Sequence, residues 1–127
     1  MPKTAVITGA TSGFGLAAAR LFAESGWNLI LTGRRADRLT EIHAELASKS
    51  SVMTLTMDVC DSQAVFDGFD NLPAPFDKID LLINNAGLAL GTEPAQLSDL
   101  SEWHRMIDTN IKGLTTVTHK LLPKLIE

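Results

Sequence analysis

Short apolar runs alternate with stretches of helical periodicity along this chain. Residues 4–8 (Thr4-Ala5-Val6-Ile7-Thr8) predict a first strand. Residues 13–25 predict a helix, with Leu16, Ala19, Arg20 and Ala23 at helical spacing and Gly26 as a stop signal just beyond. Residues 28–32 predict a second strand, centred on Leu29-Ile30-Leu31. Residues 36–48 predict a helix with Leu39, Ile42 and Leu46 on one face, and residues 52–57 a third strand. Residues 61–71 predict a short helix capped by Asp61, after which Leu72-Pro73-Ala74-Pro75 breaks the chain. Residues 79–83 predict a fourth strand, so nearly all apolar that burial on both faces is expected. Residues 98–108 and 111–126 predict helices separated near Asn110.

Strands that alternate with helices imply parallel strands joined by right-handed crossovers. The expected class is α/β, with strand order 3-2-1-4: one half of a doubly wound parallel sheet plus the first strand of the other half. Nothing in the sequence supplies the later strands. The chain ends at Lys124-Leu125-Ile126-Glu127, inside a helical pattern and without a C-cap, and strand four is left with an open edge. The expectation is an incomplete domain.

Length and composition narrow the function classes. At 127 residues the chain is at most one domain. A net charge of −4 argues against a nucleic-acid footprint, which would need a basic face. No apolar run approaches the ~20 residues needed to span a bilayer. Met1-Pro2-Lys3 runs directly into a strand, so no signal peptide is expected and a cytoplasmic setting is. Cys60 is the one cysteine, which rules out an intrachain disulfide. Tyrosine is absent.

The chemistry concentrates at the ends of the strands. Thr8-Gly9-Ala10-Thr11-Ser12-Gly13-Phe14-Gly15 follows the first strand and opens a helix. Strand, glycine turn and helix together make the geometry in which backbone N–H groups meet a pyrophosphate. Gly9 suits a tight turn, Gly13 a close approach of backbone to phosphate, and Gly15 close packing of helix on sheet. The spacing is G-x-x-x-G-x-G rather than the commoner G-x-G-x-x-G, and the segment alone also reads as an ordinary glycine-rich turn. The second strand ends in Thr32-Gly33-Arg34-Arg35, about 20 residues on, where an acid for the ribose 2′-hydroxyl stands in NAD-binding folds. Guanidinium groups there match a 2′-phosphate bidentately and favour NADP, against a reading as solvated arginines that start a helix. Asp37 falls at the start of that helix and suits its dipole. Asp58-Val59 ends the third strand, and its carboxylate suits either an adenine amino group or a helix cap. Asn84-Asn85-Ala86-Gly87 ends the fourth, where amides can tie loops together and present groups to a ribose. Asn110, taken alone, reads as a polar residue that breaks a helix.

These segments, in their order and spacing, resemble the short-chain dehydrogenases/reductases over the whole chain, with Asn110-Ile111-Lys112-Gly113 as a further match. The run from Gly87 through Thr92-Glu93-Pro94-Ala95, together with Met106-Ile107-Asp108-Thr109-Asn110, is similar to the NADP-dependent 3-hydroxy acid dehydrogenase branch, whose substrates are of the serine, L-allo-threonine and 3-hydroxypropionate type. The resemblance implies a Rossmann-type fold and a hydride transfer between NADP(H) and a small-molecule substrate. A 3-oxoacyl thioester reductase and a non-catalytic dinucleotide-binding module are the alternatives. It implies that Gly9, Thr11, Ser12, Gly13, Phe14 and Gly15 line the pyrophosphate and that Arg34 and Arg35 take the 2′-phosphate. Asp58 and Val59 would face the adenine, and Asn84, Ala86 and Gly87 would border the adenosine ribose. Some members that use NADP carry a basic residue where this chain has Ser12, so the phosphate grip would rest on the arginine pair. Asn110 matches the asparagine of the catalytic tetrad, which holds a water in a proton relay. The other members of that tetrad, a serine and a Y-x-x-x-K pair, have no counterpart in this tyrosine-free sequence. The final helix is similar to the family's dimer helix, which implies a homo-oligomer.

The remaining residues suggest packing or solvation. His43, His104 and His119 lack paired metal-ligand spacing, so no metal is expected. Cys60 is expected to be a buried, inert thiol, and Trp27 and Trp103 packing residues. Glu24, Asp70, Asp77 and Asp80 read as solvated surface charges.

Overall fold

The computed structural model of the protein describes residues 2–87 and 94–126. Most of the stretch from Gly87 to Ala95 on which the branch resemblance partly rests, residues 88–93, lies outside them.

The parallel strands β1 (Thr4–Ile7), β2 (Asn28–Gly33), β3 (Val52–Thr56) and β4 (Leu81–Ile83) form one sheet in the order β3-β2-β1-β4. Helices α1 (Gly13–Glu24) and α2 (Ala36–Leu46) cover one face. Helices α3 (Ser62–Phe69) and α5 (Leu114–Leu125) cover the other. The alternation along β1 and β2 explains the two layers. Ala5, Ile7, Leu29 and Leu31 point to α1 and α2, where they meet Ala19, Ala23, Leu39, Ile42 and Leu46. Val6 and Ile30 point the other way, onto Val65, Phe69, Val117 and Leu121. Every residue of β1 and β2 is buried, as central parallel strands require. The chain changes sides between β1 and β4, which creates a crevice at the carboxyl ends of those strands.

The predicted elements appear with ends shifted by a few residues, and α2 keeps its expected face of Leu39, Ile42 and Leu46. Asp61 caps α3 as expected, its carboxylate accepting the Ala64 N–H at 3.1 Å. Two expectations about strands and helices are corrected. β4 is half-buried rather than covered on both faces, because among the described strands it pairs with β1 alone. The last two helices are not separated at Asn110. The backbone stays helical from α4 (Leu100–Ile107) into α5 through a π-helical turn, Asp108–Gly113, which admits an extra residue without breaking the helix. A single 3₁₀ turn, Ala95–Leu97, precedes α4.

Smaller expectations also shift. Trp27 packs edge-on against Phe22 with ring centres 4.9 Å apart, but Trp103 is largely exposed on α4. Asp80 is exposed yet accepts the Thr4 N–H at 2.9 Å, so it closes the start of β1 rather than merely facing water.

Candidate functional site

The carboxyl ends of all four strands open onto one cavity of about 350 Å³. Gly9, Thr11, Ser12, Gly13 and Phe14 form one wall, and Thr32, Gly33 and Arg34 continue from β2. Met57, Asp58 and Val59 come from the end of β3, and Asn85, Ala86 and Gly87 from the end of β4. Thr109, in the π turn, closes the remaining side.

The glycine wall is built by backbone conformation. Gly9 has φ +63° and Gly13 φ +58°, a region that L side chains seldom enter. A Cβ on Gly9 would also lie 2.8 Å from the Ala86 Cα. Gly15 is not in the cavity wall. Its place is against the Gly9 carbonyl and the Asn85 amide, where a Cβ has no room, and this lets α1 sit close to the strand ends. Ser12 precedes α1 without a side-chain cap, so the first N–H groups of the helix stay available at the turn.

The asparagines divide their work differently from the expectation. Asn84 does not line the cavity. Its Nδ2 donates to Thr118 Oγ1 at 2.9 Å and fastens the end of β4 to α5. Its neighbour Asn85 is the one in the wall, with Nδ2 donating to the Gly9 carbonyl at 3.0 Å. Thr8 completes the join by accepting the N–H groups of Asn85 and Ala86, both at 3.0 Å.

Arg34 borders the cavity, whereas Arg35 stands outside it at the start of α2, with Nη2 3.5 Å from Asp37. Asp37 lies in the first turn of α2, as expected. Asp58 lines the cavity, and its Oδ1 accepts the Cys60 N–H at 2.9 Å. The cap of α3 is Asp61, so Asp58 shapes the turn before the helix rather than the helix end. Asn110 stands in the π turn, outside the wall, with its Oδ1 2.9 Å from where a Cβ on Gly87 would be.

Cys60 is exposed, not buried, because it stands in the turn closed by the Asp61 N–H on the Asp58 carbonyl. Its Sγ lies 3.1 Å from Thr109 Oγ1. Desolvation of the sulfur is the main cause that pushes its pKa up. The nearby Asp58 carboxylate adds to this, and the Thr109 bond opposes it. Among the described residues no group of His, Cys, Asp and Glu converges to hold a metal ion, and no helix is long and apolar enough to cross a membrane.

The sequence reading did not name Thr8, Thr32, Gly33, Met57 or Thr109 as site residues, and it gave the ribose to Asn84 where Asn85 lines the cavity. Position offered a signal for some: Thr8, Thr32 and Met57 stand at or next to strand ends, where parallel sheets bind ligands. Thr109 gave no comparable signal.

The short chain dehydrogenase family model matches residues 3–127. The chain belongs to the short-chain dehydrogenase family. It is 58% identical over its whole length to sulfoacetaldehyde reductase 2 of Chromohalobacter salexigens, of which it covers 50%. It is 52% identical to serine 3-dehydrogenase of Rhizobium radiobacter, again over its whole length and 50% of that protein. A solved structure of serine dehydrogenase in its closed form, complexed with NADP+, superposes with a TM-score of 0.89 at 43% identity, covering 97% of this chain and 49% of that one. The chain therefore spans about half the length of the relatives it matches.

Proposed function

We propose that the full-length protein is an NADP(H)-dependent oxidoreductase that interconverts a small 3-hydroxy acid, or an equally short anionic alcohol, with its carbonyl form. Residues 1–127 would be the N-terminal, cofactor-binding part of a single Rossmann-fold domain. The observation that carries the reading is the cavity at the crevice between β1 and β4, with the uncapped glycine turn at one side and Arg34 on the same wall system. A dinucleotide fits the chemistry of that lining. Backbone N–H groups at Ser12, Gly13 and Phe14 suit a pyrophosphate. A guanidinium at Arg34, with Arg35 beside it, suits a 2′-phosphate. Asp58 and Val59 would flank the adenine, while Ala86 and Gly87 give a ribose a floor without bulk. Among the described residues the buried Oγ1 of Thr32 has no hydrogen-bond partner, the kind of orphan that a ligand or water satisfies.

The bound dinucleotide would supply or accept a hydride. The chain's own residues bind and orient it, and Asn110 would hold a water of the proton relay. Substrate class is read from the relatives: sulfoacetaldehyde and serine are both short molecules with an anionic group. We further propose a homo-oligomer in which a second copy covers the exposed apolar stripe of Leu100, Trp103, Ile107, Ile111, Leu114 and Leu122. A cytoplasmic setting, where pyridine nucleotides are held, suits this activity.

The test is a titration of the full-length protein with NADPH and NADH, followed by turnover assays. The substrates are malonic semialdehyde, sulfoacetaldehyde and acetoacetyl thioester. Preference for NADPH with reduction of either short aldehyde supports the reading. Turnover of the thioester alone would replace it with a thioester ketoreductase, and binding without turnover of any substrate with a non-catalytic module.

A further inference from the structure

We propose that Arg38 is a positioning residue for dinucleotide binding, holding the glycine turn in its phosphate-receiving shape through the Thr11 carbonyl while making no contact with the nucleotide itself. The inference rests on the dinucleotide reading above. Arg38 Nη2 donates to the Thr11 carbonyl at 3.0 Å, across 27 residues of sequence. Its Nη1 stands 3.9 Å from Glu41 Oε2, an exposed ion pair within its own helix. Arg38 is absent from the cavity wall that contains Arg34.

Thr11 also sits beside the end of β2. Its Cγ2 stands 2.7 Å from where a Cβ on Gly33 would lie, so the glycine at the end of β2 makes room for the threonine methyl. Thr11 is thus held to α2 through Arg38 and lies beside the Cβ-free end of β2 at Gly33. The physical consequence follows from peptide planarity. In a trans peptide the Thr11 carbonyl and the Ser12 N–H point in opposite directions. A carbonyl fixed on Arg38 keeps the Ser12 N–H pointing away from that arginine. Release of the carbonyl frees this peptide to turn over, which would offer an anion an acceptor in place of a donor. A charge-assisted bond to the carbonyl opposes that flip.

Pyrophosphate is common to NADP and NAD, whereas the 2′-phosphate belongs to NADP alone. A residue that shapes the pyrophosphate turn therefore affects both nucleotides by a similar factor. A 2′-phosphate ligand affects one. The experiment titrates full-length wild type, Arg38→Ala, Arg38→Gln and Arg38→Lys with NADPH and NADH, with the thermal midpoint of the nucleotide-free protein as a fold control. We expect Arg38→Ala to weaken both nucleotides about tenfold, the loss of one charge-assisted hydrogen bond, with their ratio unchanged. Arg38→Lys, which keeps a cationic donor, should regain most of that loss. A loss confined to NADPH would make Arg38 a 2′-phosphate ligand and overturn the proposal, as would unchanged affinity for both. If Arg38→Ala does not fold, Arg38→Gln against Arg38→Lys carries the same comparison. A wild type that binds neither nucleotide would instead overturn the dinucleotide reading, and this proposal with it.

Discussion

The hydroxyl oxygen of Thr8 accepts the backbone N–H of Asn85 at 3.0 Å, and this bond joins the ends of β1 and β4. The same oxygen accepts the Ala86 N–H, and Asn85 answers with its own side chain on the Gly9 carbonyl. Thr8 is 1% exposed, so water is a poor substitute for it. Thr8→Val keeps the shape and removes the acceptor, leaving the two N–H groups unpaired. We expect a loss of about 1–3 kcal/mol of stability, read from the denaturant midpoint of the full-length protein. Thr8→Ser keeps the oxygen and should stay within about 1 kcal/mol of wild type, since it loses one buried methyl.

Cofactor preference should follow the arginines unequally. Arg34 is in the cavity wall and Arg35 is drawn toward Asp37 at the start of α2. Arg34→Ala should weaken NADPH by about tenfold or more, the value of a charge-assisted contact, and leave NADH nearly unchanged. Arg35→Ala should have the smaller effect. Equal losses for both nucleotides, measured by fluorescence titration, would remove the 2′-phosphate assignment.

Cys60 makes a pH-dependent prediction. The residue is exposed, and the pH dependence of its alkylation reports the thiolate fraction. Desolvation of the sulfur, reinforced by Asp58, raises its pKa above the ordinary cysteine value, so less thiolate is present at any given pH. Iodoacetamide labelling, followed by mass spectrometry, should be slow at neutral pH, and its pH–rate midpoint should lie above that of a free thiol. Asp58→Asn removes a nearby negative charge and should move the midpoint down. A midpoint at or below the free-thiol value would contradict the assignment.

The sheet order and the cavity walls were legible for one reason. Switches from apolar runs to helical spacing mark strand ends, and in a parallel sheet the strand ends carry the ligand edge. Gly9, Ser12, Arg34, Asp58 and Ala86 all sit at such switches, and all line the cavity. What stayed hidden depends on contacts between distant segments. Either asparagine of the Asn84-Asn85 pair is equally plausible by composition, and the partners that distinguish them are Thr118 and Gly9. The π turn differs from an α-helix by one residue in its hydrogen-bond reach, which leaves no compositional mark around Asn110. The exposure of Cys60 depends on how the 57–61 turn leaves the sheet, and the half-burial of β4 on what lies beside it, neither of which a single sequence window contains.

Gly87 separates the stability of the site from its chemistry. A Cβ there would stand 2.9 Å from Asn110 Oδ1 and 3.7 Å from its Cγ, with the Asn85 carbonyl at 3.9 Å. The tight contact is thus with the far end of an exposed side chain rather than with backbone. Gly87→Ala should therefore change the thermal midpoint of the full-length protein by only a degree or two, within the range of a surface substitution of about 0.5 kcal/mol. Asn110 would nevertheless lose its position. If it holds a water of the proton relay, turnover should fall by on the order of 10²-fold, the lower end of what general acid–base catalysis contributes. Gly87 itself lines the cavity, so turnover of Gly87→Ala is compared at saturating NADPH, while Asn110, outside the wall, should leave NADPH affinity nearly unchanged when it alone is replaced. Asn110→Ala should reproduce the loss of kcat. A Gly87→Ala protein with full turnover and intact stability would show that the placement of the Asn110 amide does not matter to the reaction, and the catalytic role proposed for Asn110 would fall.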